Sequence, residues 1–482
     1  MRYPGFINGS VKSQSLIADG EQTMNWYLEE IRAPGASSQV ALYPTPGFSA
    51  YIVAPQITHI GTRAGIEVNG RAFVVVATGF YELFATQTAT LRGTIIQDNN
   101  LAQIVYNGPT GDQLLISSGG NAYNYNLTTN TLTLVLTAEA HQIGMLDGYF
   151  LALNQTTGKL RISAVNDGLT WDSTQFALRS DQPDPWKGMV VNAPDIWLLG
   201  SKTGSVWYDS GAAPFPLAAR QGLTVPFGTG APFSFAFVSG VGYWLATNRD
   251  GTGTIVSTRG YAPQKISSFE VDTALATYRR DTSITDAEAL VYEAEGHTFF
   301  ILRFPRAQAT WAYDTTTGSW AERGKWNAAL NGYDVWAPRV FLSAFGKSLV
   351  GNATTGTIAT MEVTLGSEAD GSVIRRLRRG PVLVNENRRG PLHNFELLFE
   401  AGVGLATGQG SDPQFMFRGS SDGGKTWGNE RLMSIGKIGQ YHPRAYVTRL
   451  GSPRLWVPEV SVSDPVPTRI VDAFVNNLWQ GQ

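Results

Sequence analysis

GDQLLISSGGNAYNYNLTTNTLTLVL, residues 111–136, reads as strand, turn, strand: short runs of apolar and β-branched residues broken by Gly and Asn. The same texture returns at 68–85 (VNGRAFVVVATGFYELFA), 145–163, 195–211, 241–260, 296–320 and 344–363. These seven units recur about every 40–50 residues, the spacing of a four-stranded propeller blade. A smaller motif repeats inside them, as TTNTL at 128–132, TTGKL at 156–160, TTTGSW at 315–320 and TTGTI at 354–358. Gly or Asn there supplies a positive φ at the hairpin tip, and the β-branched or aromatic neighbours resume the strand. The pattern predicts an all-β chain built on a β-propeller of six or seven blades.

Composition agrees with that class. The 482 residues include 53 Gly, 24 Pro and 54 aromatics, and only 16% are charged, well below the usual quarter. The net charge of −2 leaves no global footprint for nucleic acid or an anionic membrane. There is no Cys, which excludes disulfides, iron–sulfur clusters and thiolate zinc sites. The five His (His59, His141, His297, His393, His442) are scattered, so no metal or cofactor is expected. The opening residues lack the apolar run of a signal peptide, and no stretch approaches 18 apolar residues, so no membrane insertion is expected.

The flanks differ in texture. Residues 1–45 look extended and polar, with Pro34-Gly35 and Pro44-Thr45-Pro46-Gly47 breaking any periodicity, and read as an N-terminal arm. The propeller is assigned to 46–365, and a linker at 366–371 leads to alternating strands without the blade motif, read as a β-sandwich-like domain over 372–482. One helix is expected around 271–280, with Asp272 as its cap.

Two motifs need weighing. SSDGGKTW, residues 420–427, has the S-x-D-x-G-x-T-W pattern of the Asp-box, best known from sialidases and other sugar-cleaving propellers. Every position in it can serve the turn alone. Ser420 and Asp422 bond the turn, Gly424 provides the bend, Thr426 closes it and Trp427 packs over the sheet. A weaker copy, AVNDGLTW, stands at 164–171. A sialidase also needs an arginine cluster, a Tyr–Glu nucleophile pair and an acid; carboxylates such as Asp147, Glu293 and Glu295 exist, but spacing does not pair them. No G-x-S-x-G, H-E-x-x-H or phosphate-binding loop is present, and GVGLATGQG (402–410) reads as a loop between strands. The second motif is basic. Arg375, Arg376, Arg378, Arg379, Arg388 and Arg389 fall within about one hairpin. They fit either a phosphate grip or guanidinium forks for the carboxylates of a neighbouring chain. No aromatics interleave them, which favours the protein interface over base stacking.

Several stretches together resemble one family. NWYLEE (25–30), LYPTPGF (42–48), RISAVNDGLTWD (161–172), GYAPQKIS (260–267), EGHTFFILRFPRAQATWAYD (295–314) and the Asp-box region 402–431 are similar, in order, to the tail nozzle proteins of short-tailed double-stranded DNA phages. These are also called packaged-DNA stabilisation proteins, tail accessory factors or tail hub proteins. The resemblance implies a non-enzymatic virion protein, made in the host cytoplasm and carried in the tail. It implies a homo-hexamer below the head-to-tail adaptor that retains packaged DNA, lets double-stranded DNA pass without sequence-specific binding, and carries fibres, spikes or a needle. It supplies no catalytic residues. The alternative is an Asp-box propeller that hydrolyses or binds glycans.

Overall fold

Six of the seven hairpin units each lie in a separate antiparallel sheet, and the seventh, at 296–320, lies in a sheet that continues into the C-terminal domain. The computed structural model describes residues 1–12, 15–18, 20–33, 38–54, 60–247, 253–384, 386 and 388–476. Pro34-Gly35, His59, residues 248–252 and residues 477–482 lie outside these residues. Blades 1 to 6 span 62–94, 103–136, 142–177, 188–225, 228–265 and 288–322. Blade 7 takes three strands from 338–362 and its outermost from Gly47–Val53, which pairs antiparallel with Thr357–Glu362. The innermost strand of blade 1, Thr62–Val68, packs against those of blades 2 and 7, closing the wheel. Seven apolar clusters fill the boundaries between blades, among them Phe73, Phe80 and Tyr125 between blades 1 and 2 and Phe300, Trp311 and Leu275 between blades 5 and 6. Seven boundaries make seven blades.

The repeated tips share a device that lies just before the Thr pair. Asn126, Asn154 and Asn352 each accept two backbone N–H bonds through Oδ1, from Thr128 and Thr129, Thr156 and Thr157, and Thr354 and Thr355. Asp314 does the equivalent with Thr316 and the Thr317 hydroxyl. Asn130, Gly158 and Gly318 then take the expected positive φ. Gly356 does not; it is glycine because a Cβ there would stand 2.1 Å from the Ala54 carbonyl oxygen, at the seam where Gly47–Val53 closes the ring.

The arm expected at 1–45 is not free. Trp26–Glu30 and Val40–Pro44 form one sheet with Asn394–Phe399, Ala445–Thr448 and Ile470–Val475. Gly20–Met24 pairs with Arg376–Arg379, which is followed in the second sheet by Leu455–Val462, Gln414–Ser420 and Arg431–Ser434. Tyr3, Phe6, Trp26 and Leu42 are buried in the sandwich core beside Phe395, Phe417 and Trp456. The Pro44-Thr45-Pro46-Gly47 break marks the passage from the sandwich strand Val40–Pro44 to the blade 7 strand Gly47–Val53. Met24 also pairs, in parallel, with Glu322 on the outer strand of blade 6, so that propeller and sandwich share a single 11-stranded sheet. At Asn25, with φ 58°, the chain switches sheets, and its amide bonds Gly324 of the propeller side and the Arg375 carbonyl.

The helix spans Phe269–Asp281 and is the one helix among the described residues. Its N-cap is Ser268; Asp272 sits inside the first turn, where it accepts from Ser267 and pairs with Lys265.

Replacing Gly356 with Ala should destabilise the protein by about 1–3 kcal/mol, the usual range for overpacking. A thermal unfolding midpoint equal to that of the unaltered chain would contradict the tight seam.

Candidate functional site: the arginine strand between propeller and sandwich

Arg376–Arg379 lies inside a sheet, with Gly20–Met24 on one side and Leu455–Val462 on the other. An inner strand gives its alternate side chains to two covered faces. Arg378 is fully buried and donates to the carbonyls of Phe6 (2.6 Å), Gly9 (3.0 Å) and Gly5 (2.9 Å), to the Thr23 hydroxyl (3.0 Å) and to the Glu21 carboxylate. Arg376 is also buried; it donates to the Thr45 carbonyl at 3.3 Å, and burial lowers its pKa to about 10 although Glu368 works against this. Burial likewise raises the nearby Glu368 carboxyl to about 7. Neither Arg376 nor Arg378 can reach a partner chain, so the expectation of an interface there is corrected for both. Their carboxylate and carbonyl partners are in the same chain, more than 300 residues away.

Arg375 stacks over Trp326 at 4.4 Å and donates to the Ser461 hydroxyl. Arg379 makes two bonds to the buried Glu459 carboxylate, which Arg418 holds from the other side. Both guanidiniums lie against the Trp427 ring, at 4.9 and 5.0 Å. Of the six arginines, Arg388 and Arg389 alone are exposed.

Trp427 reaches that position from the Asp-box turn. Asp422 Oδ1 accepts from the backbone of Lys425 and Thr426 and from the Ser420 hydroxyl, and Oδ2 accepts from the Thr426 hydroxyl. These bonds, led by the Thr426 hydroxyl, hold the carboxyl well below the usual range, so it stays an acceptor. Gly424 donates to Ser420 Oγ with φ 92°. In the weaker copy Asp167, one place later than the motif's acid, accepts from the Leu169 backbone and the Thr170 hydroxyl. Asp147, Glu293 and Glu295 sit exposed beside hairpin turns of blades 3 and 6.

A second seam had no sequence signal beyond a lone His. His297, buried on blade 6, bonds the Asp314 carboxylate through Nδ1 (2.7 Å) and the Glu29 carboxylate through Nε2 (2.8 Å). Glu29 belongs to the sandwich strand Trp26–Glu30, so this imidazole joins the two halves. The Asp314 hydrogen bond raises the His297 pKa, against desolvation, with Glu29 adding to it.

The starts of the innermost propeller strands are laced together. Glu288 of blade 6 holds Arg303 and Arg339 of blade 7, and Arg339 reaches the Asn99 carbonyl at 2.8 Å. Arg63 of blade 1 donates to Asn100, Ala77 and Ser118. Gln142 of blade 3 accepts from Met189 of blade 4 and donates to the Pro232 carbonyl in blade 5 at 2.7 Å.

A seven-bladed wheel bonded into a sandwich defines an all-β protein of two joined β domains. The chain belongs to the bacteriophage P22 Gp10 family of phage stabilisation and tail proteins: the family's β-propeller profile matches residues 28–366 and its β-sandwich profile 375–476. That family is one of structural phage proteins found in the virion tail. No curated protein matches the sequence. Among solved structures, the N-terminal domain of Nup159 is similar at 10% identity, TM-score 0.41, over 69% of this chain and 98% of that one. A virginiamycin B lyase from Staphylococcus aureus gives 7%, 0.44, 66% and 99%, and an exo-β-1,3-galactanase from Phanerochaete chrysosporium 9%, 0.28, 90% and 100%. Likenesses this remote say nothing of the chain's chemistry.

Two outcomes are expected. Arg378→Leu removes its bonds to the buried Glu21 carboxylate and to three carbonyls and should cost about 3–5 kcal/mol, whereas Arg388→Ala should stay within about 0.5 kcal/mol; urea unfolding of the two variants compares them. The second concerns pH. A His whose folded pKa exceeds its unfolded value, near 6.5, contributes fully below that value and loses the contribution as pH rises through the folded pKa. The unfolding midpoint should therefore decline as pH rises above about 6.5, and His297→Gln should flatten that slope. Parallel slopes in the two proteins would remove His297 from the seam.

Proposed function

We propose that this chain is the tail nozzle of a short-tailed phage. Six copies form a ring below the head-to-tail adaptor, keep packaged DNA in the particle, conduct it outward at ejection, and carry fibres, spikes or a needle. The protein is made in the host cytoplasm and works in the virion, without catalysis. The observation that carries this reading is the family match across both domains in order.

Physical features support a channel between copies in preference to one through the wheel. One Gln142 side chain spans from blade 3 to blade 5. An opening that small does not admit a duplex whose major groove alone is about 12 Å wide. Several copies around a common axis leave the necessary space, and rings of this kind use heterologous, self-closing contacts. A net charge of −2 suits a conduit, because a strongly basic bore would hold DNA and slow its exit. Arg63, Arg303, Arg339, Arg376 and Arg378 are buried and so unavailable to a channel wall.

Arg388 and Arg389, exposed in the turn after Leu383–Val384, are the members of the basic run free to meet the adaptor or a neighbouring copy. Replacing both with Ala should reduce incorporation into tails and leave the salt dependence of DNA binding unchanged. Electron micrographs of isolated tails should show a six-fold ring that is missing when this chain is missing. Complete tails assembled without the chain would refute the nozzle, and a loss of salt-sensitive DNA affinity with assembly intact would reassign the two arginines to DNA.

A further inference from the structure

The outer edges of the blades are not treated alike. Blade 3 ends in a two-residue strand, Phe176–Ala177. The edge of blade 4, Leu217–Val225, carries Arg220 and a break in register, and that of blade 5, Ala262–Lys265, carries Pro263 and Lys265. Blade 6 is covered by Gly20–Met24. Shortness, charge, proline and cover are the devices that stop an edge from recruiting another strand.

Three consecutive blades have outer strands of six or seven residues without proline or a covering strand, although each carries a shift in register as blade 4 does. Their outer strands are Gly47–Val53, Thr88–Thr94 and Thr131–Leu136, on blades 7, 1 and 2, and each pairs with its inner neighbour alone among the described residues. Between them they carry one charge, Arg92, which is bound to Glu82. Each exposes one large apolar side chain: Val53 at 69%, Leu91 at 51% and Leu134 at 50%. The start of the blade 7 edge is engaged, because Phe48 donates to the Ser367 carbonyl, and the blade 1 edge contains Gly93. The blade 2 edge, TLTLVL, has no charge, Gly or Pro. Thr131, Thr133 and Val135 favour strands and no residue of the segment breaks one. Its ladder is regular from Thr131 to Leu134, and a register shift follows at Val135.

We propose that the blade 2 edge receives an extended segment of another protein chain, added as a fifth strand. The partner is identified by its chemistry: an uncharged strand rich in Thr, Val or Leu, whose backbone bonds the free edge and whose apolar side chains cover Leu134. The fold already carries out this operation within one chain, since an extended N-terminal segment extends blade 6 in the same way. The added strand comes from a different segment, because pairing of Thr131–Leu136 with its own copy would be isologous and would stop at a two-fold dimer.

This inference rests on the virion reading, and the test separates the two. Amide hydrogen exchange is followed in the full chain alone and in isolated tails. The edge amides of 131–134 should slow by about tenfold or more on assembly. Leu134→Lys and, independently, Thr133→Lys should lower incorporation into tails by about tenfold, since a charge blocks edge pairing, with unfolding midpoints unchanged; Leu398→Lys on the sandwich surface serves as control. Unchanged exchange in tails that contain the chain overturns the added strand, as does normal incorporation of both variants. A two-fold dimer of the free protein with slowed edge amides overturns the foreign partner. Tails that never contain the chain would instead count against the virion reading.

Discussion

A five-residue strand, Gly20–Met24, holds the two halves of this protein in one sheet. It bonds blade 6 on one side through Met24 and Glu322, and the sandwich strand Arg376–Arg379 on the other. Arg378 fixes the segment that precedes it by taking the carbonyls of Gly5, Phe6 and Gly9 together with Glu21. Asn25 then turns the chain into the opposite sheet while bonding Gly324 and Arg375, and His297 seals the far side through Glu29. Interfaces between domains of one chain are ordinarily modest and permit motion. Here backbone pairing crosses the boundary and ties wheel and sandwich together.

Charge is handled in the same spirit. A buried guanidinium is tolerated when carboxylates and carbonyls satisfy it, and removal of one partner is costly. The Glu288–Arg303–Arg339 group at the axis, the Glu21–Arg378 pair under the N-terminal turn and the Arg379–Glu459–Arg418 group beneath Trp427 each follow that rule. The Asp-box belongs to this scheme. Its compact turn sets an indole across two arginines whose shared carboxylate is buried.

The wheel was legible because its signals are local. Hairpin tips, the strand period and the spacing of the seven units all lie within about 50 residues of chain. The Asx residue that bonds each tip, such as Asn154 or Asn352, stands two places before the Thr pair's first member and could have been included in the motif. The N-terminal strands were harder, since the alternation in Trp26–Glu30 is short and prolines flank Val40–Pro44. The arginine run was illegible for a different reason. Five adjacent positions rich in charge look like a solvated surface, and what buries Arg376 and Arg378 is chain more than 300 residues distant. Position in a sheet, inner or edge, is a property of long-range pairing that composition does not encode.

The participation of the first 53 residues in both halves has a bearing on biosynthesis. They leave the ribosome about 300 residues or more before their partners, Thr357–Glu362, Arg376–Arg379 and Ile470–Val475. Pairings so distant along the chain make folding slow. The wheel cannot close until Thr357–Glu362 is made to receive Gly47–Val53, and the sandwich not until Ile470–Val475 is made. The two halves are therefore completed in order, the wheel before the sandwich, and a fragment that ends between the two points holds strands for the first alone.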